Sequence, residues 1–225
     1  LGDVYKRQIQ ARHQKVIEEA PAAVLPAPVR EAMLAQSEQA AAQLKYEGLG
    51  TIEFLYNEDG SYYFMEMNTR IQVEHPITEL TTRVDLVESQ FLVAAGAQLK
   101  AERPASVGYA IECRVNALTP GKITALHLPG GPGVRVDTAL YQGYTVPSNY
   151  DGMIAKLIVY GERRQRALQQ MQAVIDETVI DGIKTNLDLL IEILQAPAFQ
   201  RLTTTVNWLD DQMNPNQKEE QDDED

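Results

Sequence analysis

Apolar residues recur at helical and strand spacings along most of the chain. Over residues 28–44, Val29, Ala32, Met33, Ala40 and Leu44 fall at helical intervals among alanine, glutamate and glutamine, and Gly48 follows, so the spacing predicts an amphipathic helix. Residues 51–56 and 62–67 are rich in Ile, Phe and Tyr and flank Asn57-Glu58-Asp59-Gly60, which predicts a hairpin. Helical period returns over 76–95 through Leu80, Val84, Leu86, Val87, Phe91 and Leu92, with Gly96 as the C-cap. A polar connection at 100–106, containing Pro104, is the best internal boundary. Beyond it short strands are predicted at 109–115, 122–127, 134–137 and 153–160, with Pro129-Gly130-Gly131-Pro132-Gly133 as a structural turn. Helices are predicted at 163–179 and 185–194, with a short one around 206–213. Residues 1–8 show no clean period, and no internal repeat is present. Strand runs followed by helices, rather than strict alternation, predict an α+β fold.

Composition narrows the classes. With 44% hydrophobic and 23% charged residues in 225, the chain has ordinary globular arithmetic. No run of about 18 apolar residues occurs and residues 1–12 lack a signal-peptide core, so neither membrane spanning nor export is expected. Cys113 is the single cysteine, which excludes an internal disulfide framework and any paired-cysteine metal or redox site; a buried small hydrophobe in a cytoplasmic setting is the expectation. The net charge is -12, but residues 214–225 hold six acids against one lysine, leaving -7 on residues 1–213. A mildly acidic body argues against a nucleic-acid partner. The like-charged end is expected to be a disordered acidic tail.

The hairpin carries candidate chemistry. A two-residue type I′ turn at Asp59-Gly60 would set Tyr56 opposite Tyr63 and Glu53 opposite Glu66, with Leu55, Phe64 and Asn68 on the same face. Directly opposed like charges are destabilising unless something accounts for them. A hard divalent cation does so, because Mg²⁺ takes one or two carboxylates plus phosphate oxygens and water. In another register the two glutamates would lie on a solvated face with basic neighbours.

Longer stretches carry a resemblance. The segments RHQKVIEEAP (12–21), GTIEFLY (50–56), EMNTRIQVEHPITEL (66–80), ECRVNA (112–117), PGKIT (120–124), GYTVPSNYDGMIAKLIVYG (143–161) and DGIKTN (181–186) together closely resemble biotin carboxylase, over about residues 9–210. That family is the ATP-grasp component of acetyl-CoA carboxylase and its biotin-dependent relatives. The resemblance implies the C-terminal part of an ATP-grasp domain at 9–103 and a biotin carboxylase C-terminal domain at 104–213, between an unmatched start (1–8) and the tail (214–225).

The implied reaction is the ATP-dependent carboxylation of biotin with bicarbonate through carboxyphosphate. Residue by residue, Glu53 and Glu66 match the glutamates that bind Mg²⁺ or Mn²⁺, with Asn68 beside them. Glu74 matches the general base, and Lys15, Arg70, Gln72 and the Val73 amide match the bicarbonate cradle, where a planar guanidinium suits a carboxylate-like anion. Arg114 matches the residue facing the biotin enolate. Gln10 and His13 match positions near the nucleotide phosphates, and Leu55 and Val206 match apolar walls beside the adenine.

A biotin carboxyl carrier protein or domain, a carboxyltransferase component and a homodimeric partner are implied. The family's N-terminal nucleotide fold and glycine-rich lid would precede Leu1, so weak or no turnover is expected of this chain alone. A non-catalytic fragment that keeps dimerisation and carrier-docking surfaces is the alternative reading. Two departures from the family pattern bear on the site. Ala11 stands where a second Arg is usual, and the loop at 117–119 is shorter than the family's acidic, proline-containing one beside biotin.

Overall fold

The computed structural model describes residues 7–11, 14–57, 59–98, 103–149, 152–205 and 207–213. Strands β1 (Arg7–Ala11) and β2 (Gln14–Ala20) precede helix α1 (Ala27–Gln43), and the hairpin β3 (Thr51–Tyr56) and β4 (Tyr62–Asn68) leads to α2 (His75–Thr82) and α3 (Leu86–Ala94). Then come β5 (Tyr109–Asn116), β6 (Gly121–Lys122), β7 (Ala125–His127), β8 (Val134–Thr138), β9 (Thr145–Val146) and β10 (Met153–Gly161). Helix α4 (Arg164–Glu177), β11 (Val179–Asp181), α5 (Leu187–Gln195), α6 (Pro197–Gln200) and α7 (Trp208–Met213) complete the order.

The fold is α+β, built on an antiparallel sheet of order β1-β2-β5-β10-β8. Strands from both sides of residue 104 therefore share one hydrogen-bonded ladder. The two-residue period of β5 assigns its faces. Ile111, Cys113 and Val115 point with Ile17, Leu157 and Val159 into the main core, where α4 supplies Ala167, Leu168, Met171, Val174 and Ile175 and α5 supplies Leu190, Ile193 and Leu194. Each fully buried Ile or Leu there contributes roughly 1.5–3 kcal/mol of transfer free energy. On the opposite face a smaller apolar patch, Ala20, Ala110 and Ile158, packs under Ile77 of α2. The alternate positions of the same three strands put Glu18, Glu112, Arg114 and Lys156 on this second face. One face is the core and the other is chemistry.

Several expected elements are redrawn by tertiary context. The single helix predicted over 76–95 is two helices, because Arg83 turns left-handed at φ 61° and Asp85 caps α3 by accepting from the Glu88 amide at 2.7 Å. The apolar period runs through the break since both helices supply apolar residues. Helix α4 stops at Glu177, and Val179 instead pairs with His127 as the start of β11. The strand expected at 122–127 divides, its first part pairing with β9 and its second with β11. Strands β1 and β2 had no periodic signature. The adjacent glutamates of β2, Glu18 and Glu19, are buried, each ion-paired to a distant arginine, Arg114 and Arg164. Strand β1 opens at Arg7, inside the start expected to be unmatched, while the acidic end at 214–225 lies outside the described residues.

Candidate functional site

The hairpin reaches the expected opposition of carboxylates by a different route. The Gly60 amide donates to the Asn57 carbonyl at 3.0 Å, the Asn57 amide donates to the Ser61 carbonyl at 2.9 Å, and Gly60 sits at φ 85°. This is the pattern of a three-residue loop closed by a left-handed glycine. Tyr56 consequently pairs with Tyr62 rather than Tyr63, one residue off the simple register. An irregularity between Glu53 and Phe54, opposite Met65, restores the ladder, and Glu53 falls opposite Glu66.

Asn68 spans the two carboxylates, its Nδ2 lying 2.7 Å from Glu66 Oε1 and 3.3 Å from Glu53 Oε1. Glu53 Oε1 also accepts from Gln72 Nε2 at 2.6 Å and from Lys15 Nζ at 2.9 Å. Among the described residues the Oε2 atoms of Glu53 and Glu66 accept no hydrogen bond, which leaves one oxygen of each for a cation. No group of three or more His, Cys, Asp or Glu able to hold a metal occurs among the described residues. The donor set is two carboxylates, hard oxygen ligands, held together by the Asn68 Nδ2 group that donates to both. It fits Mg²⁺ bound chiefly through phosphate and water.

Glu74 is the hub. It lies just before α2 and is only 2% exposed. Its Oε1 accepts from Gln8 Nε2 and Lys15 Nζ, both at 3.0 Å, and its Oε2 from Arg114 Nη2 at 3.0 Å. Three strands thus converge on one carboxylate. Burial pulls the Lys15 ammonium down, but Glu74 and Glu53 outweigh that and hold its pKa above the ordinary lysine value. Arg114 in turn donates through Nε to Glu18 Oε1 at 2.6 Å.

The loop 72–74 is braced from behind. The Gln72 carbonyl faces the His75 amide at 3.2 Å and the His75 ring Nδ1 at 2.9 Å. Because a trans peptide sets its N–H opposite its C=O, the Val73 amide is turned away from those contacts. Lys156 Nζ donates to the Val73 carbonyl at 2.8 Å and pairs with Asp137 at 3.3 Å. Gln72 Oε1 is buried without a partner among the described residues. Burial lowers the His75 pKa below its usual range, and Arg135 and Lys156 lower that of Asp137 against the opposing effect of its own burial.

The structure thus brings Lys15, Glu53, Glu66, Asn68, Gln72, Glu74 and Arg114 into one connected network. Gln10 lies beside it, opposite Lys15 in the β1–β2 ladder. Arg70 is exposed, donates to the Ile71 carbonyl at 3.1 Å and makes no ion pair among the described residues. Leu55 is exposed on β3. His13 and Val206 fall outside the described residues. Sequence reasoning passed over Gln8, Glu18 and Lys156. Glu18 and Lys156 lie within quoted motifs, but nothing local distinguishes them from surface charges, and Gln8 lies in the stretch without a period.

One antiparallel sheet joins the segment before residue 104 to the segment after it, with carboxylates and cations where β2 meets β5. Residues 5–102 match the family "Carbamoyl-phosphate synthase L chain, ATP binding domain", and residues 111–211 match "Biotin carboxylase C-terminal domain". The chain belongs to the biotin carboxylase family. It is 49% identical over 218 residues to a biotin carboxylase of Haemophilus influenzae, covering 93% of this chain and 48% of the relative. A biotin carboxylase of Pseudomonas aeruginosa is 45% identical over 211 residues, with 90% of this chain and 47% of that one covered. A similar solved structure is the biotin carboxylase domain dimer of Hydrogenobacter thermophilus 2-oxoglutarate carboxylase, in complex with MgADP, ADP and bicarbonate. Its TM-score is 0.90 and its identity 38%, with 95% of this chain and 51% of that one covered. The chain spans about half the length of the curated relatives it matches.

Proposed function

We propose that this chain supplies the bicarbonate- and biotin-facing side of an ATP-dependent biotin carboxylase, the first half-reaction of acetyl-CoA carboxylase-type enzymes. The observation that carries the reading is the buried Glu74 carboxylate held between the Lys15 ammonium and the Arg114 guanidinium. Glu74 takes the proton of bicarbonate, which makes its oxygen nucleophilic toward the γ-phosphate of ATP. Lys15, Arg70, Gln72 and the Val73 amide hold the anion and fix its orientation, the two cations neutralising its charge. The carboxyphosphate so formed breaks its C–O bond to give CO₂ and phosphate, and Arg114 stabilises negative charge on the ureido oxygen when biotin gives its N–H proton to that phosphate and captures the CO₂. A divalent ion held by Glu53 and Glu66, with Asn68 beside them, would neutralise phosphate charge.

In the whole enzyme Gln10, His13, Leu55 and Val206 border the nucleotide, and biotin arrives on a carrier protein or domain. The relative solved with MgADP and bicarbonate is a dimer, which supports a homodimer here, and a carboxyltransferase component would consume the carboxybiotin. Among the described residues no helix is long and apolar enough to cross a membrane.

Carbon-13 bicarbonate titrated into the chain and followed by NMR line broadening tests the reading. Wild-type protein is expected to bind, and Lys15→Ala and Arg70→Ala to lose at least about tenfold in affinity, equivalent to about 1.4 kcal/mol. Absence of binding to the wild type would reject it in favour of a module that keeps docking surfaces without chemistry.

A further inference from the structure

Glu18 of β2 and Glu112 of β5 stand directly opposite one another in the antiparallel ladder. Both are fully buried, on the sheet face where Ala20 and Ala110 pack with Ile158 and Ile77. Among the described residues, Glu18 Oε2 and both oxygens of Glu112 have no hydrogen-bond partner. The remaining oxygen of the pair, Glu18 Oε1, accepts from Arg114 Nε at 2.6 Å. Opposed anions destabilise a sheet, and a buried carboxylate without a donor is the costliest form of that group. Apposed carboxylates escape both costs by sharing a proton.

We propose that Glu18 and Glu112 hold one proton between them, Glu112 being the neutral acid that donates to Glu18 Oε2, and that Glu18 is the positioning residue that sets the guanidinium plane of Arg114 against Glu74. The proton resides on Glu112 because, of the two and among the described residues, Glu18 is the one with a cation bonded to it. One O–H bond satisfies two of the three orphaned sites. It leaves Glu18 a single negative charge, matched to the Nε–Nη2 edge of a planar fork: Nε and Nη2 lie 2.6 Å and 2.5 Å from Glu18 Oε1, and Nη2 also reaches Glu74 Oε2 at 3.0 Å.

The charges around the pair are Lys15 from β2, Arg114 from β5, Lys156 from β10 and Glu74 ahead of α2. Asp137 and Arg135 of β8 and Glu79 of α2 are engaged in their own ion pairs, and His75 is bonded to the Gln72 carbonyl. Burial first, then the Glu18 charge, raise the Glu112 pKa well above the ordinary carboxyl value, with Lys156 and Arg114 opposing. Burial raises that of Glu18 to about 7, with Arg114 the main opposing influence. The bearing of this arrangement on biotin rests on the function proposed above, whereas the shared proton does not.

Infrared difference spectra of the chain carrying carbon-13 glutamate, recorded at about pH 8.5 so that Glu18, raised to about 7, is ionised, test the shared proton. The expected result is the carbonyl band of a buried neutral acid that vanishes in Glu112→Gln and persists in Glu18→Gln. A wild-type spectrum without the band, or a band that survives Glu112→Gln, overturns the proposal. Positioning is read from the Arg114 Nε–H resonance in NMR, which is expected to shift in Glu18→Gln and to keep its place in Glu112→Gln, where an amide N–H replaces the acid as donor. A resonance unmoved by Glu18→Gln overturns the positioning role. Glu112→Gln keeps shape and hydrogen bond, so its melting temperature is expected to match or exceed the wild type's at neutral pH, and a large fall counts against a neutral Glu112. These signals are independent of whether the chain binds biotin or nucleotide.

Discussion

Glu74 has both oxygens occupied by side chains from elements far apart in sequence, and its two cationic neighbours differ in role. Lys15 also bonds Glu53, tying the proposed base to the metal-side carboxylates, while Arg114 ties it to Glu18 behind the sheet. In the complete carboxylase, Glu74→Gln is expected to lower biotin carboxylation by about 10²- to 10⁴-fold in kcat with nucleotide KM nearly unchanged, the usual worth of a general base. Steady-state kinetics decide this, and an unaltered kcat would remove Glu74 from that role.

The buried acids also set a pH dependence. Glu18 rises from 4.5 to about 7 on folding, so the native state holds the proton more tightly than the unfolded chain. Its stabilising contribution is complete below the unfolded value and is lost as pH rises through about 7. Glu112 acts in the same sense. His75, lowered by burial, acts oppositely: its contribution is present above the ordinary histidine value and is lost as pH falls through the folded one. In melts from about pH 5 to pH 8, the advantage of Glu112→Gln over wild type is expected to widen as pH rises. A gap that narrows would contradict the raised carboxyl.

At the scale of elements, the hairpin and the glycine turns show how position rather than residue type sets the cost of a change. Gly60 and Gly182 are both left-handed, at φ 85° and 98°. A Cβ at Gly60 meets nothing within 4 Å, so Gly60→Ala is expected to cost only the backbone term, about 1–2 kcal/mol. A Cβ at Gly182 would fall on the Lys122 carbonyl oxygen, and Gly182→Ala is expected to cost more than about 4 kcal/mol or to prevent folding. Denaturant titration of the two variants separates these outcomes. Asp85→Ala, which removes the cap of α3, should cost about 1 kcal/mol and leave α2 intact.

Across the whole molecule, two arginines of identical chemistry are expected to behave differently. Arg164 of α4 makes a two-pronged pair with Glu19 of β2, bonds the Phe199 and Gln200 carbonyls and lies over the Phe199 ring. It locks the helical layer to the sheet. Because Glu19 is only 2% exposed, Arg164→Ala is expected to destabilise the fold by about 3–5 kcal/mol. Arg103 pairs with Glu31 and Glu38 of α1 at the surface, and Arg103→Ala should cost less than about 1 kcal/mol. Thermal unfolding of the two variants side by side checks the contrast.

The long helices α1, α4 and α5, the hairpin, β5 and β10 were legible in the sequence because each carries its own apolar period, a property of neighbouring residues. The opposition of Glu53 and Glu66 was legible too, although the turn and the bulge that produce it offset one another. The break at Arg83, the division of the strand expected at 122–127 and the pairing of Val179 with His127 depend on which partner each segment meets, so tertiary structure alone decided them. The same holds for Gln8, Glu18, Glu112 and Lys156. Their contacts span dozens of residues, and a buried charge beside a distant counter-charge carries no local pattern that separates it from a solvated one.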